Sequence, residues 1–229
     1  MPQRNLAERP ALTRDLVIAT AMTIADDGGL DLLTMRRLAE RLGVEAMSLY
    51  HHFPNKNAIL DGLVERTFAE IEDEVSRLTP AADADSWQRI LRERVLAARR
   101  VMLRHPWVPA VMESRSVLVP TMGRYIDAHV GVMRAGGLSY DLIHHSMHAL
   151  GSRLYGFSQE LTLDGDGSAI AGPADAALMA EALPHLAAML QDVVHDDPDS
   201  TLGWCDDQTE FEFGLDILLD GIAQRHAAV

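Results

Sequence analysis

Residues 34–56 read TMRRLAERLGVEAMSLYHHFPNK, and this stretch decides the fold of the N-terminal part of the chain. Apolar residues recur at helical spacing on both sides of Gly43, and Thr34 is suited to cap the first of two short helices. A helix-turn-helix needs a small residue where its helices approach, a glycine at the turn, and apolar residues beneath both helices. Ala39, Gly43 and Leu49 meet these requirements at suitable spacing, so the stretch predicts a helix-turn-helix.

Further helices are predicted on both sides of this motif. Thr13 is suited to cap a first helix that ends at Gly28-Gly29, and a long amphipathic helix begins near Lys56, after Pro54. Because three short helices bury too little surface by themselves, we expect the long helix to dock against them. Its predicted buried stripe is Ile59, Leu60, Leu63, Val64, Phe68, Ile71, Val75 and Leu78.

The rest of the chain also shows helical spacing, without the alternation that is typical of strands. The pattern predicts helices at about 86–104, 106–112, 119–135, 139–161 and 208–225, with a further helix from residue 174 that is interrupted at Pro184. The predicted fold class is therefore all-α. We expect a three-helix helix-turn-helix domain at residues 1–66, followed by a larger helical domain at residues 67–229.

Composition excludes several classes of protein. No run approaches the roughly 20 apolar residues of a membrane span, and the polar start lacks the apolar core of a signal peptide. The single cysteine, Cys205, cannot form an internal disulfide, and we interpret it as a small apolar residue in a reducing compartment. We therefore expect a cytoplasmic protein with no membrane partner.

The formal net charge of −14 is unevenly distributed along the chain. Residues 1–66 carry 8 Lys and Arg against 9 Asp and Glu, whereas residues 67–229 carry 12 against 25. DNA phosphates respond to charges within about a Debye length, roughly 10 Å. A nearly neutral domain can still present a basic face, so the charge permits DNA binding only through residues 1–66.

The run from Leu38 to Lys56 has the form L-A-x-x-L-G-V-x-x-x-S-L-Y-x-H-F-x-N-K. It resembles the most recognisable stretch of the DNA-binding domain of TetR-family repressors, and the resemblance extends over about residues 13–66. Beyond that region, the order of helices and the closing FEFGLDILLDGI are similar to the tetracycline repressor subclass. The resemblance implies a repressor that binds palindromic double-stranded DNA as a homodimer and is released by a small-molecule effector.

By this resemblance, the third helix is the recognition helix, which enters the major groove. Ala46 and Met47 offer apolar contacts, for instance to a thymine methyl, and Ser48 can bond a base or a phosphate. Arg36 resembles the position from which members of the family reach a guanine edge. The predicted backbone contacts are Thr34, Tyr50, His51, His52 and Lys56. A place in the core for Tyr50, and solvation for His51 or His52, are the alternatives.

The same resemblance implies that residues 67–229 form an effector-binding and dimerisation domain. We expect a pocket among the helices between residues 86 and 161. Its methionines suit an apolar or aromatic effector, because unbranched side chains repack easily. The candidate lining residues are Trp107, Met112, Met122, Tyr125, Met133 and His148. An ordinary place in the core is the alternative for each of them.

The helices at about 139–161 and 208–225 resemble the two that build a four-helix dimer interface in the family. Gly214 allows a close approach of the last helix to its neighbours. The predicted interface residues are Leu150, Leu154, Phe157, Gly214, Leu215, Leu218 and Ile222. An intramolecular core would show the same apolar pattern and is the alternative.

Other functions have weaker support in the sequence. His144 and His148 have the helical spacing of a metal-binding pair but lack a clear third ligand. Residues 164–168, DGDGS, resemble the start of a calcium loop, but Ala169 stands at the sixth position, where such a loop has a glycine. No nucleophile, nucleotide-binding or zinc motif is present, so we expect no metal, no cofactor and no enzyme. An activator, a regulator controlled by a protein partner, and a helical enzyme without a recognisable motif are the remaining alternatives.

Overall fold

The structure is a computed structural model that describes residues 11–78, 86–115, 118–156, 181–185, 187–188 and 207–228. Every regular element in these ranges is helical, and the prediction of an all-α fold is confirmed. The main helices are α1 (Arg14–Gly28), α2 (Met35–Leu42), α3 (Ala46–Tyr50), α4 (Lys56–Ser76), α5 (Trp87–Arg104), α6 (Val108–Ser114), α7 (Pro120–Ala135), α8 (Tyr140–Gly156) and α9 (Asp207–Ala227), with a 3₁₀ turn at Leu30–Leu32. They belong to two compact units, Met1–Ser139 and Tyr140–Val229.

Side-chain caps fix where the first helices begin. The Thr13 hydroxyl accepts a hydrogen bond from the Leu16 amide, and the Thr34 hydroxyl accepts one from the Arg37 amide, each at 3.1 Å. Each cap satisfies an amide that lacks a partner in the first turn of a helix. Both capping residues are those that the sequence predicts.

The turn between α2 and α3 depends on Gly43. Its φ of 68° is in the left-handed region, which side chains with a Cβ resist. The amide of Val44 donates to the Ala39 carbonyl at 3.0 Å, and the amide of Gly43 donates to the Glu40 carbonyl at 3.2 Å. The glycine therefore ends α2 and sets the direction in which α3 continues.

The fourth helix, α4, packs against α1 and lies beside Phe53, which follows α3. Leu38, Leu49 and Phe53 are at most 1% exposed, as are Ile59 and Leu63 on α4. The docking of the fourth helix, expected because of the small size of the motif, is present. Farther along, α4 packs against α5 and α7. This one helix therefore contributes to the core of the N-terminal helices and to the core formed with α5 and α7.

In the second unit, α8 packs against α9. Ile143, Leu150 and Leu154 are buried on α8. The buried stripe of α9 consists of Phe211, Leu215, Leu219 and Ile222. A Cβ added at Gly214 would lie 2.7 Å from the Arg153 guanidinium, so the glycine permits this close approach.

We predict that Gly43→Ala lowers the free energy of unfolding by about 1 kcal/mol, because alanine resists the left-handed conformation. Gly131→Ala is the matched control: Gly131 lies inside α7, and a Cβ there meets no atom within 4 Å. Since alanine favours a helix over glycine by about 1 kcal/mol, the control variant becomes more stable. Denaturant unfolding followed by circular dichroism measures both variants, and equal effects would contradict the assigned role of Gly43.

Candidate DNA-binding surface and effector cavity

The exposed face of α3 carries apolar and aromatic side chains. Met47 is 70% exposed and Tyr50 is 45% exposed, whereas Leu49 between them is fully buried. Ala46 and Ser48 are half-buried. The burial of Leu49 fixes the orientation of α3, so that Met47 and Tyr50 extend from a rigid support. Large apolar side chains exposed in this way are typical of a contact surface.

Arg36 lies on α2 with its side chain 88% exposed. Its Nε donates to Glu40 Oε1 at 2.8 Å, one helical turn away. This hydrogen bond raises the pKa of Arg36, and the Coulombic attraction of Glu40 adds to the effect. Because an exposed pair of this kind contributes little stability, the guanidinium can leave Glu40 for another acceptor at small cost.

The remaining predicted backbone contacts surround the two ends of the motif. Thr34 is exposed, although its hydroxyl is engaged as the cap of α2, and His51 is exposed just after α3. His52 is half-buried. Lys56 begins α4, and its Nζ donates to the Leu30 carbonyl at 3.2 Å, which leaves two ammonium donors for other acceptors. Contacts of these side chains with DNA stay predictions.

Arg14, which was not identified from the sequence, contacts the residues that follow α3. Its guanidinium donates to the His52 carbonyl, and its central carbon lies 4.1 Å from the centre of the Phe53 ring. Arg14 therefore ties the start of α1 to the turn between α3 and α4. No local pattern identifies this contact, because the partners are 38 residues apart.

A partly buried polar cluster connects α1 and α4 with the junction of α5 and α6. The Trp107 indole donates to Asp26 Oδ1 at 2.6 Å, and His105 Nδ1 lies 2.8 Å from the same oxygen. His105 Nε2 lies 3.2 Å from Glu70 Oε2. His105 and Trp107 are only 7% and 5% exposed. We call these four residues the junction cluster.

A cavity of about 40 Å³ lies where α4, α6 and the start of α7 meet. Arg115 donates to Asp61 from Nε at 2.5 Å and from Nη2 at 2.9 Å, which joins α4 to the residue that follows α6. Two methionines of the predicted pocket are part of the wall. The lining residues are Asp61, Val64, Val111, Met112, Arg115, Val119 and Met122.

The other predicted pocket residues lie in different surroundings. Tyr125 and Met133 are buried on α7, and the Phe68 and Tyr125 rings meet edge to face with centroids 5.7 Å apart. Trp107 belongs to the junction cluster. His148 is exposed on α8, in the second unit.

Two polar side chains near Tyr125 were not identified from the sequence. His129 is 2% exposed, and its ring centroid lies 4.2 Å from that of Tyr125. Burial, together with the smaller effect of the nearby positive charge of Arg94, lowers the pKa of His129 to about 4. Burial also lowers the pKa of Arg94. Polar groups held in an apolar core are costly, and such costs are common where a ligand is recognised.

The residues predicted for the dimer interface divide into two groups. Leu150, Leu154, Leu215 and Ile222 are buried between α8 and α9 within one chain, whereas Leu218 and Gly214 are half-buried. Phe157 lies outside the described residues. The exposed apolar side chains of α9 are instead Phe213 and Ile217, at 64% and 56% exposure.

The metal-binding alternatives gain no support from the described residues. The His144 and His148 rings are 4.8 Å apart, but no group of three His, Cys, Asp or Glu side chains suited to a metal ion occurs among the described residues. The acidic segment 164–168 and Cys205 lie outside those residues. No helix in the described ranges is long and apolar enough to cross a membrane.

Comparisons with known proteins agree with this arrangement. Residues 17–63 match the sequence model of bacterial regulatory proteins of the tetR family, and residues 79–226 match that of the tetracyclin repressor-like C-terminal domain. The transcriptional repressor DrrR1 of Streptomyces coeruleorubidus is 29% identical over 226 residues, which are 95% of this chain and 81% of that protein.

Solved structures show the same likeness. A possible TetR-family transcriptional regulator from Streptomyces coelicolor A3(2) has 30% identity and a TM-score of 0.70, over 93% of this chain and 99% of that one. The S. coelicolor TetR-family protein ActR, in complex with (S)-DNPA, has 25% identity and a TM-score of 0.73, over 94% and 98% of the two chains. With both parts of the chain matched, the protein belongs to the TetR family and is a DNA-binding transcriptional regulator.

Proposed function

We propose that this protein is a homodimeric repressor that leaves palindromic operator DNA when a small apolar or aromatic effector binds. The observation that carries the proposal is the position of α4. Ile59 and Leu63 are buried on the part of α4 that packs against α1 of the DNA-binding domain, and Asp61 and Val64 on the same helix line the cavity. A molecule that widens the cavity therefore acts directly on the helix that supports the DNA-binding surface.

In this proposal, residues 1–66 bind DNA and residues 67–229 bind the effector and dimerise. Two similar proteins support it: DrrR1 is named a repressor, and ActR holds (S)-DNPA in its crystal structure. The function requires no catalysis and no cofactor. A regulator of this kind acts in the cytoplasm, where bacterial DNA is located.

For the dimer, we place a second copy of the chain against the exposed face of α9. The buried stripe of this helix is already occupied by α8, so Phe213 and Ile217 are the apolar side chains that remain for a partner. Half-buried Leu218 and Gly221 adjoin them on the helix. The two recognition helices of the dimer then contact successive major grooves, about 34 Å apart.

The first experiment is selection of bound duplexes from a random pool with the purified protein at moderate salt. Enrichment of a palindrome with two half-sites supports the dimeric DNA-binding function and provides a probe for effector screening. Compounds that release the protein from this probe support repression. Compounds that tighten binding would point to an activator or co-repressor, chemical turnover of a compound to an enzyme, and enrichment of nothing to a required partner.

We predict that Arg36→Ala weakens binding to the selected duplex by about 10- to 100-fold, because a direct contact with a base edge is lost. Arg89→Ala is the matched control, since Arg89 also donates to a glutamate one turn away at 2.8 Å, but on α5. Fluorescence anisotropy at fixed salt measures both variants. Unchanged affinity of Arg36→Ala would refute the assignment of Arg36.

A second prediction concerns the junction cluster. Asp26→Ala leaves the buried Trp107 indole and a nitrogen of buried His105 without their partly exposed acceptor, so the free energy of unfolding should fall by about 2 kcal/mol. Asp27→Ala is the control, because Asp27 is 65% exposed and its ion pair with Arg41 spans 3.7 Å. Denaturant unfolding compares the two, and a control that loses as much stability would argue against the cluster.

A third prediction tests the dimer surface. Ile217→Glu should convert the dimer to a monomer, because a charge at the centre of an apolar interface is strongly unfavourable. Leu103→Glu is the control, since Leu103 is equally exposed, at 58%, but lies on α5. Sedimentation velocity gives the mass of each variant, and a dimeric Ile217→Glu would place the interface elsewhere.

A further inference from the structure

One ring nitrogen of His129 has no partner although the side chain is buried. Nδ1 lies 2.7 Å from the Tyr125 carbonyl oxygen. A carbonyl only accepts hydrogen bonds, so Nδ1 carries the proton and donates it. The other nitrogen, Nε2, is buried without any hydrogen-bond partner. An imidazole whose pKa is lowered to about 4 is neutral at pH 7, so Nε2 presents a lone pair.

Arg94, which lies near His129, has a buried nitrogen that can only donate a hydrogen bond. Its Nε is buried without a hydrogen-bond partner, and its central carbon lies 5.7 Å from the centre of the Tyr125 ring. No carboxylate among the described residues forms an ion pair with it. A guanidinium N–H only donates, so Arg94 offers a buried donor and a positive charge that no described acid neutralises.

The cavity and His129 lie along the same pair of packed helices, α4 and α7, and Arg94 approaches Tyr125 of α7 from α5. Val64 on α4 and Met122 on α7 line the cavity. One turn farther along each helix, Phe68 and Tyr125 are in ring contact, and His129 follows Tyr125 by one more turn. A ligand that enters at the cavity and extends between α4 and α7 therefore reaches the Phe68 and Tyr125 rings first and then Arg94 and His129, which we call the polar pair.

His129 Nε2 and Arg94 Nε, the two nitrogens without hydrogen-bond partners, together define the chemistry of a group that could bind both. The partner must donate a hydrogen bond to His129 Nε2 and accept one from Arg94 Nε. A carboxylate or an ether has no hydrogen to donate, and an ammonium group cannot accept. A hydroxyl group does both, and on an aromatic ring its acidity is increased by the positive charge of Arg94.

We propose that Arg94 and His129 form the polar end of the effector site and bind the hydroxyl group of a phenolic effector. The O–H donates to His129 Nε2, the oxygen accepts from Arg94, and the ligand ring packs beside Tyr125. This inference rests on the proposed effector-controlled function and adds the chemical class of the effector. It assigns a role to two buried nitrogens that otherwise lack hydrogen-bond partners.

The test compares 2-naphthol with 2-methoxynaphthalene, which has the same ring system but no donor. Calorimetric titration of the full-length wild-type protein should show at least about tenfold tighter binding of 2-naphthol, as expected for hydrogen bonds that involve a charged group. Equal binding of the two compounds would overturn the proposal and indicate that a water molecule occupies the polar pair. Failure of both to bind at millimolar concentration would overturn it as well.

Variants identify the residues responsible. Arg94→Met and His129→Leu should each reduce the preference for 2-naphthol to about onefold, with binding of 2-methoxynaphthalene unchanged within about threefold. Arg94→Lys, which keeps the charge, should retain part of the preference, and Arg89→Met on the exposed side of α5 should retain all of it. Because Arg94 is only partly buried, its variants test the proposal even if His129→Leu does not fold.

The result is independent of DNA binding. If the wild-type protein prefers 2-naphthol but no compound releases it from the selected duplex, the phenol site stands and the proposed repressor function fails. If compounds release the protein but Arg94→Met keeps the full preference for 2-naphthol, the repressor function stands and the phenol site is refuted.

Discussion

The apolar stripe of α4 packs against two sets of partners, and this shared helix is the constraint on which the rest of the first unit depends. Ile59 and Leu63 are buried where α4 packs against α1 of the DNA-binding domain, whereas Phe68 and Ile71 are buried in the core with α5 and α7. At 21 residues α4 is about 31 Å long, which lets one helix reach both sets of partners. A shift of α4 in one of these cores disturbs the other, so the DNA-binding domain and the cavity share one helix.

The helix-turn-helix was predictable because its determinants are local. The cap at Thr34 involves an amide three residues away, and the turn at Gly43 is stabilised by bonds to Ala39 and Glu40. The apolar positions of α2 and α3 follow from a period of 3.6 residues. Interactions over such short separations leave a pattern in the sequence itself, and the same holds for the amphipathic stripe of α4.

The junction cluster and the polar pair could not be predicted, because each joins residues that are close only after folding. Asp26 and His105 are 79 residues apart, and nothing in either local sequence favours the other. The last helix shows a different limit. Both faces of α9 are apolar, so periodicity alone could not assign Leu215 to the intramolecular core and Ile217 to the surface. That assignment depends on which face of α9 packs against α8, and this is determined only by the tertiary structure.

The size of the cavity determines how an effector can act. A volume of about 40 Å³ is far below the roughly 300 Å³ of the smallest usual ligand sites, so a ligand must widen it. Met112 and Met122 can repack at little cost, whereas the ion pair of Asp61 with Arg115, which also lines the cavity, joins α4 to the residue after α6. In the proposed function, an effector that widens the cavity therefore separates α4 from α6. Such an effector binds the displaced arrangement of α4 more tightly than the closed one, and this difference in affinity shifts the population away from the DNA-binding form.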